Sequence, residues 1–240
     1  MSTYHSKKAK EFLKDPKKVE RHDRTFWSLR QKRDAAAAEL PEWEDLREHA
    51  SRIKEHTATH LVDYLEQFSN SLERNGVIVH FAKDAQEFNE MVYGILESHK
   101  VKKLVKSKSM LTEECEMNPY LIKRGINVVE SDLGERILQL MHLKPAHIVM
   151  PAIHLTRDEI GEMFEEKGIS KEKGNHDPAY LTRCAREDLR GDFMDADAGL
   201  TGCNFGVAAT GDCVVCTNEG NADMSTSVPK LHIVAMGIEK

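Results

Sequence analysis

The residues best suited to chemistry in this sequence of 240 residues form short polar clusters, and the clearest is the run Asn218-Glu219-Gly220-Asn221. The run follows an apolar stretch directly, and Asn and Gly tolerate the left-handed backbone of a sharp turn. Asparagine amides can orient a small ligand through hydrogen bonds. Glu219 could therefore be a catalytic carboxylate, or it could be only an acidic residue of the turn.

A second cluster is Lys106-Ser107-Lys108-Ser109, which lies between a predicted strand and a predicted helix that begins near Thr112. Free N–H groups at the start of a helix, the helix dipole and a lysine charge together favour the binding of an anion. The alternative is that Ser109 or Thr112 only caps the helix and that the lysines are solvated.

Further polar clusters, Glu130-Ser131-Asp132 and Thr201-Gly202-Cys203-Asn204, also fall at predicted strand ends. In open α/β sheets, ligands bind beyond the carboxyl ends of the strands. We therefore predict one shared site for a small anionic ligand, a carboxylate or a phosphate, and we assign no catalytic residue. The predicted ligand-binding residues are Lys108, Ser109, Thr112, Asn204, Thr210, Asn218, Glu219, Gly220 and Asn221.

The motif Cys213-Val214-Val215-Cys216 is either a metal or redox pair or part of a buried strand. Residues three apart in a strand point to opposite faces, whereas a zinc or redox C-x-x-C pair needs a tight turn. A zinc site usually needs a second pair as well. The two valines and the Thr210-Gly211 turn favour the strand, so we predict packing cysteines and no metal site in this chain.

The elements that must position these residues alternate between strand and helix patterns after residue 76. Such alternation predicts βαβ units and a mainly parallel sheet. The short Thr210-Gly211 connection permits only an antiparallel pair. The predicted fold class is therefore α/β, a mixed sheet with helices on both faces. The predicted strands cover residues 77–82, 103–107, 126–130, 147–151, 204–209, 212–217 and 232–236, and the predicted helices cover residues 85–98, 112–124, 156–167 and 178–194.

The chain before residue 76 has a helical pattern throughout. Apolar or small residues recur at spacings of three and four from Leu46 to Leu72, which predicts one long helix. An earlier helix is predicted over residues 23–38. We predict a helical N-terminal region over residues 1–75 and an α/β domain over residues 76–240.

Composition limits the classes of partner and the compartment. The net charge of −6 gives no reason to expect a nucleic-acid partner. The longest apolar runs are about half a membrane span, which predicts no transmembrane segment, and the charged start of the sequence is unlike a signal peptide. Five cysteines without framework spacing argue against a disulfide scaffold. We expect a cytoplasmic protein with reduced thiols.

Many separate motifs, in the same order along nearly the whole chain, closely resemble the N-terminal part of the lactate utilisation protein B family. The motifs are RQKRDAAAAELPEWE, VKSKSMLTEE, ESDLGE, HIVMPAIH, GLTGCNFGVAATG, TNEGN and PKLHIVAMGIEK. The resemblance implies a LUD domain with the fold shared by ribose-5-phosphate isomerases and CoA transferases. It also implies membership of a three-protein iron–sulfur system that oxidises L-lactate to pyruvate in bacteria, with the other lactate utilisation subunits as partners.

The sequence departs from that family at one point. The family continues into a ferredoxin-like segment whose C-x-x-C-x-x-C-x-x-x-C-P runs hold [4Fe–4S] clusters, and this sequence has no such run. We therefore expect no cofactor in this chain and expect the clusters in the C-terminal segment of the full-length protein.

Two classes of function stay open at this stage. This domain is either an interaction module of the lactate-oxidising complex, inactive by itself, or a ligand-binding or acyl- or phosphosugar-processing enzyme of the isomerase/CoA-transferase-like fold. Fold analogy does not decide between them, because one fold carries many chemistries.

Overall fold

The computed structural model describes residues 3–147 and 150–240, and the chain divides into two compact units, Met1–His60 and Leu61–Lys240. The boundary between the units therefore lies between residues 60 and 61, earlier in the chain than the boundary predicted between residues 75 and 76. Residues 61–74 belong to the second unit because Phe68 and Leu72 are buried there. The Ser71 hydroxyl also donates a hydrogen bond to the carbonyl of Ala208, at 2.8 Å.

The first unit is helical, as predicted. Its helices are α1 (Thr3–Phe12), α2 (Pro16–Ala38) and α3 (Trp43–Thr59). Helix α2 starts where Asp15 accepts hydrogen bonds from the amides of Lys17 and Lys18, and Pro16 occupies the first helical position. Neither α2 nor α3 contains a buried residue.

The single long helix predicted over residues 46–72 is wrong, because the helix breaks at His60. Helix α3 ends at Thr59 and a second helix, α4 (Leu61–Arg74), follows. The backbone of His60 leaves the helical region, with φ −117° and ψ 26°. The Thr59 hydroxyl bonds back to the carbonyl of His56 at 2.8 Å, which competes with continued helical bonding.

The second unit is built on a four-stranded parallel sheet in the order β2-β1-β3-β6. Its strands are β1 (Lys103–Ser107), β2 (Asn127–Glu130), β3 (Ala198–Gly202) and β6 (Leu231–Ala235). The chain leaves β1 toward β2 on one side and later returns as β3 on the other side. The strand order therefore reverses at β1, and such a switch point opens a crevice at the carboxyl ends of the strands.

Helices cover both faces of this sheet, which confirms the predicted α/β class. On one face, α5 (Ala85–Ser98) and α7 (Met117–Ile122) bury Val92, Leu96, Met117 and Leu121 against Leu104 and Leu200. On the other face, α10 (Pro178–Met194) packs Leu189 and Phe193 against Val105 and Val129. The remaining helices are α6 (Met110–Glu114), α8 (Leu133–Met141), α9 (Arg157–Glu166) and α11 (Asn221–Ser227).

The predicted antiparallel pair forms a separate two-stranded sheet, β4 (Phe205–Val207) with β5 (Asp212–Val214). Parallel and antiparallel pairing both occur, as the sequence predicts, but in two sheets. Among the described residues, no helix is both long and apolar enough to cross a membrane.

The strand predicted over residues 77–82 is wrong. Residues 77–82 form no strand, and Val77, Ile78 and Phe81 are exposed. The central residues of the strand predicted over 147–151, residues 148 and 149, lie outside the described residues. Next to them, the amide of Met150 donates a hydrogen bond to His147 Nδ1 at 3.1 Å.

Candidate functional site

The candidate site begins at the carboxyl end of β1, where the backbone of Lys108 turns sharply. Lys108 has φ 56°, in the left-handed region that non-glycine residues seldom adopt. Its amide donates to Asp132 Oδ2 at 2.6 Å, which ties the turn to the end of β2. On the other side, a Cβ on Gly202 would lie 2.0 Å from the carbonyl oxygen of Lys108. A glycine at the end of β3 therefore allows this close approach of two backbones.

The ammonium group of Lys108 is held between two carboxylates. Its Nζ lies 2.5 Å from Asp132 Oδ1 and 2.8 Å from Glu219 Oε1. Burial by itself would lower the pKa of Lys108, but its hydrogen bonds and ion pairs with Asp132 and Glu219 outweigh burial and raise it. Lys108 therefore stays charged at neutral pH.

The Glu219 carboxylate bridges two donors. Oε1 contacts Lys108 Nζ, and Oε2 accepts a hydrogen bond from the amide of Leu133 at 3.3 Å. Leu133 is the first residue of α8, so its amide is a free donor at the positive end of a helix. Asp132 is 7% exposed whereas Glu219 is 38% exposed, so Glu219 is the partner that can leave.

Asn221 also holds the Asp132 side chain in place. Its Nδ2 donates to Asp132 Oδ1 at 2.8 Å and to Ser131 Oγ at 3.3 Å. Within the described part of the chain, the buried atom Asn221 Oδ1 has no hydrogen-bond partner, and the same holds for Ser107 Oγ and Ser225 Oγ. Unpaired buried polar atoms are rare, so each calls for an explanation.

A second charged group lies around Lys106, which is 1% exposed. Its Nζ donates to Thr112 Oγ1 at 2.9 Å and to Glu113 Oε1 at 2.6 Å, and it lies 2.8 Å from Glu130 Oε1. Asn118 Nδ2 donates to the same Glu130 oxygen at 2.5 Å. Burial raises the pKa of Glu130 to about 7 against the opposing charge of Lys106.

The structure brings part of the predicted site together. Lys108 contacts both Glu219 and Asp132, and Asn221 contacts the same Asp132. Gly220 supplies the left-handed residue (φ 74°) that precedes α11. Asn218 is exposed beside them. Whether these residues bind a ligand remains a prediction.

The other predicted residues have different local roles. Ser109 caps α6 by accepting a hydrogen bond from the amide of Thr112, at 3.4 Å. This is the helix-capping role that the sequence offered as the alternative to ligand binding. The Thr112 hydroxyl contacts Lys106 rather than Lys108. Asn204 Oδ1 accepts from the amide of Cys216, at 2.8 Å, and Thr210 Oγ1 donates to Asp212 at 2.6 Å. These last two contacts lie in the β4–β5 hairpin.

Sequence reasoning did not place Asp132, Lys106 or Glu130 among the ligand-binding residues. Their signal was present, because Asp132 ends the polar run that follows β2. Asp132 is central to the site, because its carboxylate binds both the backbone amide and the side-chain ammonium group of Lys108.

The cysteines do not form a cluster-binding set in the described residues. Cys184 is buried in α10, and Cys115 follows α6. Of the other three, Cys203 precedes β4, Cys213 lies in β5 and Cys216 follows β5. Across residues 3–147 and 150–240, no group of three or more His, Cys, Asp or Glu side chains is placed to hold a metal ion. These residues therefore do not fit an iron–sulfur cluster, which needs four such ligands.

Comparison with known proteins identifies relatives of this chain. The LUD domain family matches residues 65–240. The chain is 47% identical over 213 residues to lactate utilization protein B of Bacillus pumilus, covering 88% of the chain and 45% of that protein. It is 45% identical over 214 residues to lactate utilization protein B of Shouchella clausii, covering 88% of the chain and 44% of that protein. The chain spans less than half the length of these curated relatives, and no solved structure shows significant similarity to it.

Proposed function

This chain belongs to the LUD domain family, and from that membership we propose that it serves bacterial lactate utilisation as a component of a system that oxidises L-lactate to pyruvate. The observation that carries the proposal is its 47% identity, over 88% of its length, to a lactate utilization protein B. The other subunits of that system are its proposed partners.

Oxidation of L-lactate to pyruvate removes two electrons and two protons from the substrate. We assign the acceptance of the electrons to iron–sulfur clusters held outside this chain, because its described residues offer no cluster ligand set. The residues of this chain are proposed to bind and orient a ligand rather than to carry electrons.

The experiment that tests this role is growth on L-lactate. A strain from which the gene is deleted should fail to grow with L-lactate as sole carbon source and should grow normally on glucose. Re-expression of the full-length protein should restore growth, whereas the same protein without residues 61–240 should not. Normal growth of the deletion strain on L-lactate would overturn the proposal.

Within that role, we assign a carboxylate-binding site to Lys108 and the N-terminus of α8. Glu219 already places a carboxylate between Lys108 Nζ, at 2.8 Å, and the amide of Leu133, at 3.3 Å. The carboxylate of a small acid such as L-lactate or pyruvate has the same charge and the same pair of acceptor oxygens. It would take this position when the half-exposed Glu219 side chain swings away.

The residues beneath the carboxylate are held in place, which suits a site that orients its ligand. Asp132 fixes both the backbone and the side chain of Lys108, and Asn221 fixes Asp132. The unpaired Asn221 Oδ1 supplies a buried hydrogen-bond acceptor beside them, which suits the hydroxyl of a 2-hydroxy acid. The alternative function is a phosphosugar-processing role. Binding of inorganic phosphate at this site would favour that alternative.

A further inference from the structure

A cleft of about 320 Å³ opens beside β2, the outer strand of the parallel sheet. Its walls come from the start of β2, from α8 and from the ends of α7 and α9. Ile122 is the last residue of α7, and His142 and Lys167 directly follow α8 and α9. Ligand pockets in proteins have volumes of roughly 300–1,000 Å³. The cleft is therefore large enough for a small organic ligand.

This cleft is separate from the Lys108–Glu219 pair. Asn127, the first residue of β2, lines the cleft, whereas Lys108 contacts Asp132, beyond the last residue of that strand. Helix α8 takes part in both places, because its first amide donates to Glu219 and its later residues line the cleft. The two sites therefore share a helix but no side chain.

The charged groups of the cleft wall are cationic. Arg136 and Lys167 line it, together with the imidazole ring of His142. None of the described lining residues is an aspartate or a glutamate. A concave surface with charges of one sign attracts a ligand of the opposite sign, so the wall favours an anion.

The guanidinium group of Arg136 is held in place and keeps one donor unused. Its Nη1 donates to Gln139 Oε1 at 3.1 Å, and its Nη2 donates to Asp188 at 3.0 Å and to Asp192 at 3.4 Å. These aspartates balance the charge of Arg136, so Lys167 supplies the net positive charge of the wall. The buried Nε of Arg136 has no acceptor in the described part of the chain. Because an unpaired buried donor is costly, a ligand oxygen bound deep in the cleft would be stabilised there.

The backbone edge of β2 beside the cleft is already occupied. Gln139 Nε2 donates to the carbonyl of Val128 at 2.7 Å, and Gln139 Oε1 accepts from the amide of Glu130 at 3.1 Å. An added peptide strand would need these same backbone groups. The cleft therefore suits a small molecule rather than a peptide in an extended conformation.

The remainder of the lining is largely apolar. Ile126 and Val128 are buried and Leu140 is half-buried, whereas Ile122 is 54% exposed. An aliphatic chain that covers Ile122 would remove apolar surface from water, which is favourable. A ligand that fits both parts of the cleft has an apolar tail as well as a negative charge.

We propose that this cleft binds a short-chain aliphatic carboxylate. The carboxylate lies at Lys167 and the Nε of Arg136, and the aliphatic chain lies against Ile122 and Leu140. Inorganic phosphate has the charge without the chain, and a neutral alcohol has the chain without the charge, so both bind more weakly. The proposal is independent of the proposed role in lactate utilisation, because none of these side chains belongs to the Lys108 site.

The test is calorimetric titration of the full chain with hexanoate, 1-hexanol and inorganic phosphate. We expect hexanoate to bind about tenfold more tightly than either of the other probes, because only hexanoate makes both kinds of contact. Lys167→Met should weaken hexanoate binding by about tenfold through the loss of one charged hydrogen bond. Ile122→Asp should weaken it as well, because it places a second carboxylate beside the ligand. Lys173→Met and Ile78→Asp, at exposed positions outside the cleft, are the matched controls.

The Lys108 site is also proposed to accept a carboxylate, so every titration is repeated in a Lys108→Met background. Hexanoate binding should persist there and should still weaken with Lys167→Met. In the unsubstituted chain, the amide chemical shifts that change with hexanoate should lie in residues 122–128 and 136–142. No binding of hexanoate, its complete loss in Lys108→Met, or equal affinities in Lys167→Met and Lys173→Met would overturn the proposal. Equal affinity for hexanoate and for either other probe would do the same.

Discussion

Lys108 Nζ lies 2.8 Å from Glu219 Oε1, although the two residues are 111 positions apart in the chain. Lys108 follows β1, and Glu219 lies between β5 and α11, so the fold of the second unit brings them together. The Glu219 carboxylate is bound there by an ammonium group and by a helix N-terminal amide. Both donors suit any carboxylate, which makes this pair the basis of the proposed ligand site.

The buried ammonium group of Lys106 should be essential for stability. We expect Lys106→Met to lower the free energy of unfolding by about 3–5 kcal/mol, because it leaves Glu130 buried without its counter-charge. The double variant Lys106→Met/Glu130→Gln should recover part of that loss. Urea denaturation measures both, and Lys102→Met, at an exposed position, is the control. Equal stability of Lys106→Met and the control would contradict this role.

The stability of the protein should also depend on the titration of Glu130. Burial raises its pKa from 4.5 to about 7, so between these values the folded state holds a proton that the unfolded state has released. The contribution of Glu130 to the free energy of unfolding is therefore present at low pH and is lost as the pH rises toward 7. Glu130→Gln does not titrate and should flatten this fall, as measured by urea denaturation across the range. A profile of the same slope in the variant would refute the assignment.

Gly202 should tolerate no side chain. We expect Gly202→Ala to lower the free energy of unfolding by about 1–3 kcal/mol, because its Cβ would lie 2.0 Å from the backbone oxygen of Lys108. The control is Gly94→Ala in α5, where the Cβ meets no atom within 4 Å and helix propensity should raise stability by about 0.5–1 kcal/mol. Thermal melting of both variants tests the contact, and a stable Gly202→Ala protein would show that the two strand ends are farther apart.

Residues 61–240 should fold without the first unit. The three hydrophobic clusters of buried residues all lie in this range, whereas α2 and α3 bury none. A fragment of residues 61–240 should show a single cooperative thermal transition close to that of the full chain. Loss of cooperative unfolding in the fragment would mean that the helical unit contributes to the core.

Elements with strong local signals were predicted from the sequence at their observed bounds. Helix α10 begins at Pro178 because Asp177 caps it, and α5 begins after the cap Asp84. Strand β1 has the apolar pair Leu104 and Val105 at its centre, and both residues are buried. In these segments the local sequence and the tertiary environment favour the same structure.

Elements whose identity depends on tertiary contacts were missed. Strand β3 is fully buried but consists of the residues AGLTG, which lack the bulky side chains typical of strands. Small residues are needed there because a Cβ on Gly199 would lie 1.8 Å from the backbone oxygen of Ser225. Residues 77–82 have the opposite property, since their composition favours a strand but they form none.

Only those residues of the candidate site that directly follow a strand could be predicted from the sequence. Lys108 follows β1 of the parallel sheet, so its place at a strand end is expected from the rule for such sheets. Glu219 follows β5 of the separate antiparallel pair, so the rule does not account for its contact with Lys108. Asn204 and Thr210 also lie near strand ends, but their side chains are used within the β4–β5 hairpin. The sequence does not distinguish these two cases, because they differ in hydrogen-bond partners rather than in local pattern.

The most direct test of the proposed carboxylate site is calorimetric titration of the chain with L-lactate and pyruvate. We expect Glu219→Gln to bind both acids more tightly than the unsubstituted chain, because the competing internal carboxylate is gone. Lys108→Met should weaken binding by about tenfold to a hundredfold, the effect of losing one charged hydrogen bond, while Lys102→Met should bind normally. Equal affinities in Lys108→Met and Lys102→Met, no binding by Glu219→Gln, or a clear preference for phosphate over both acids would contradict the account.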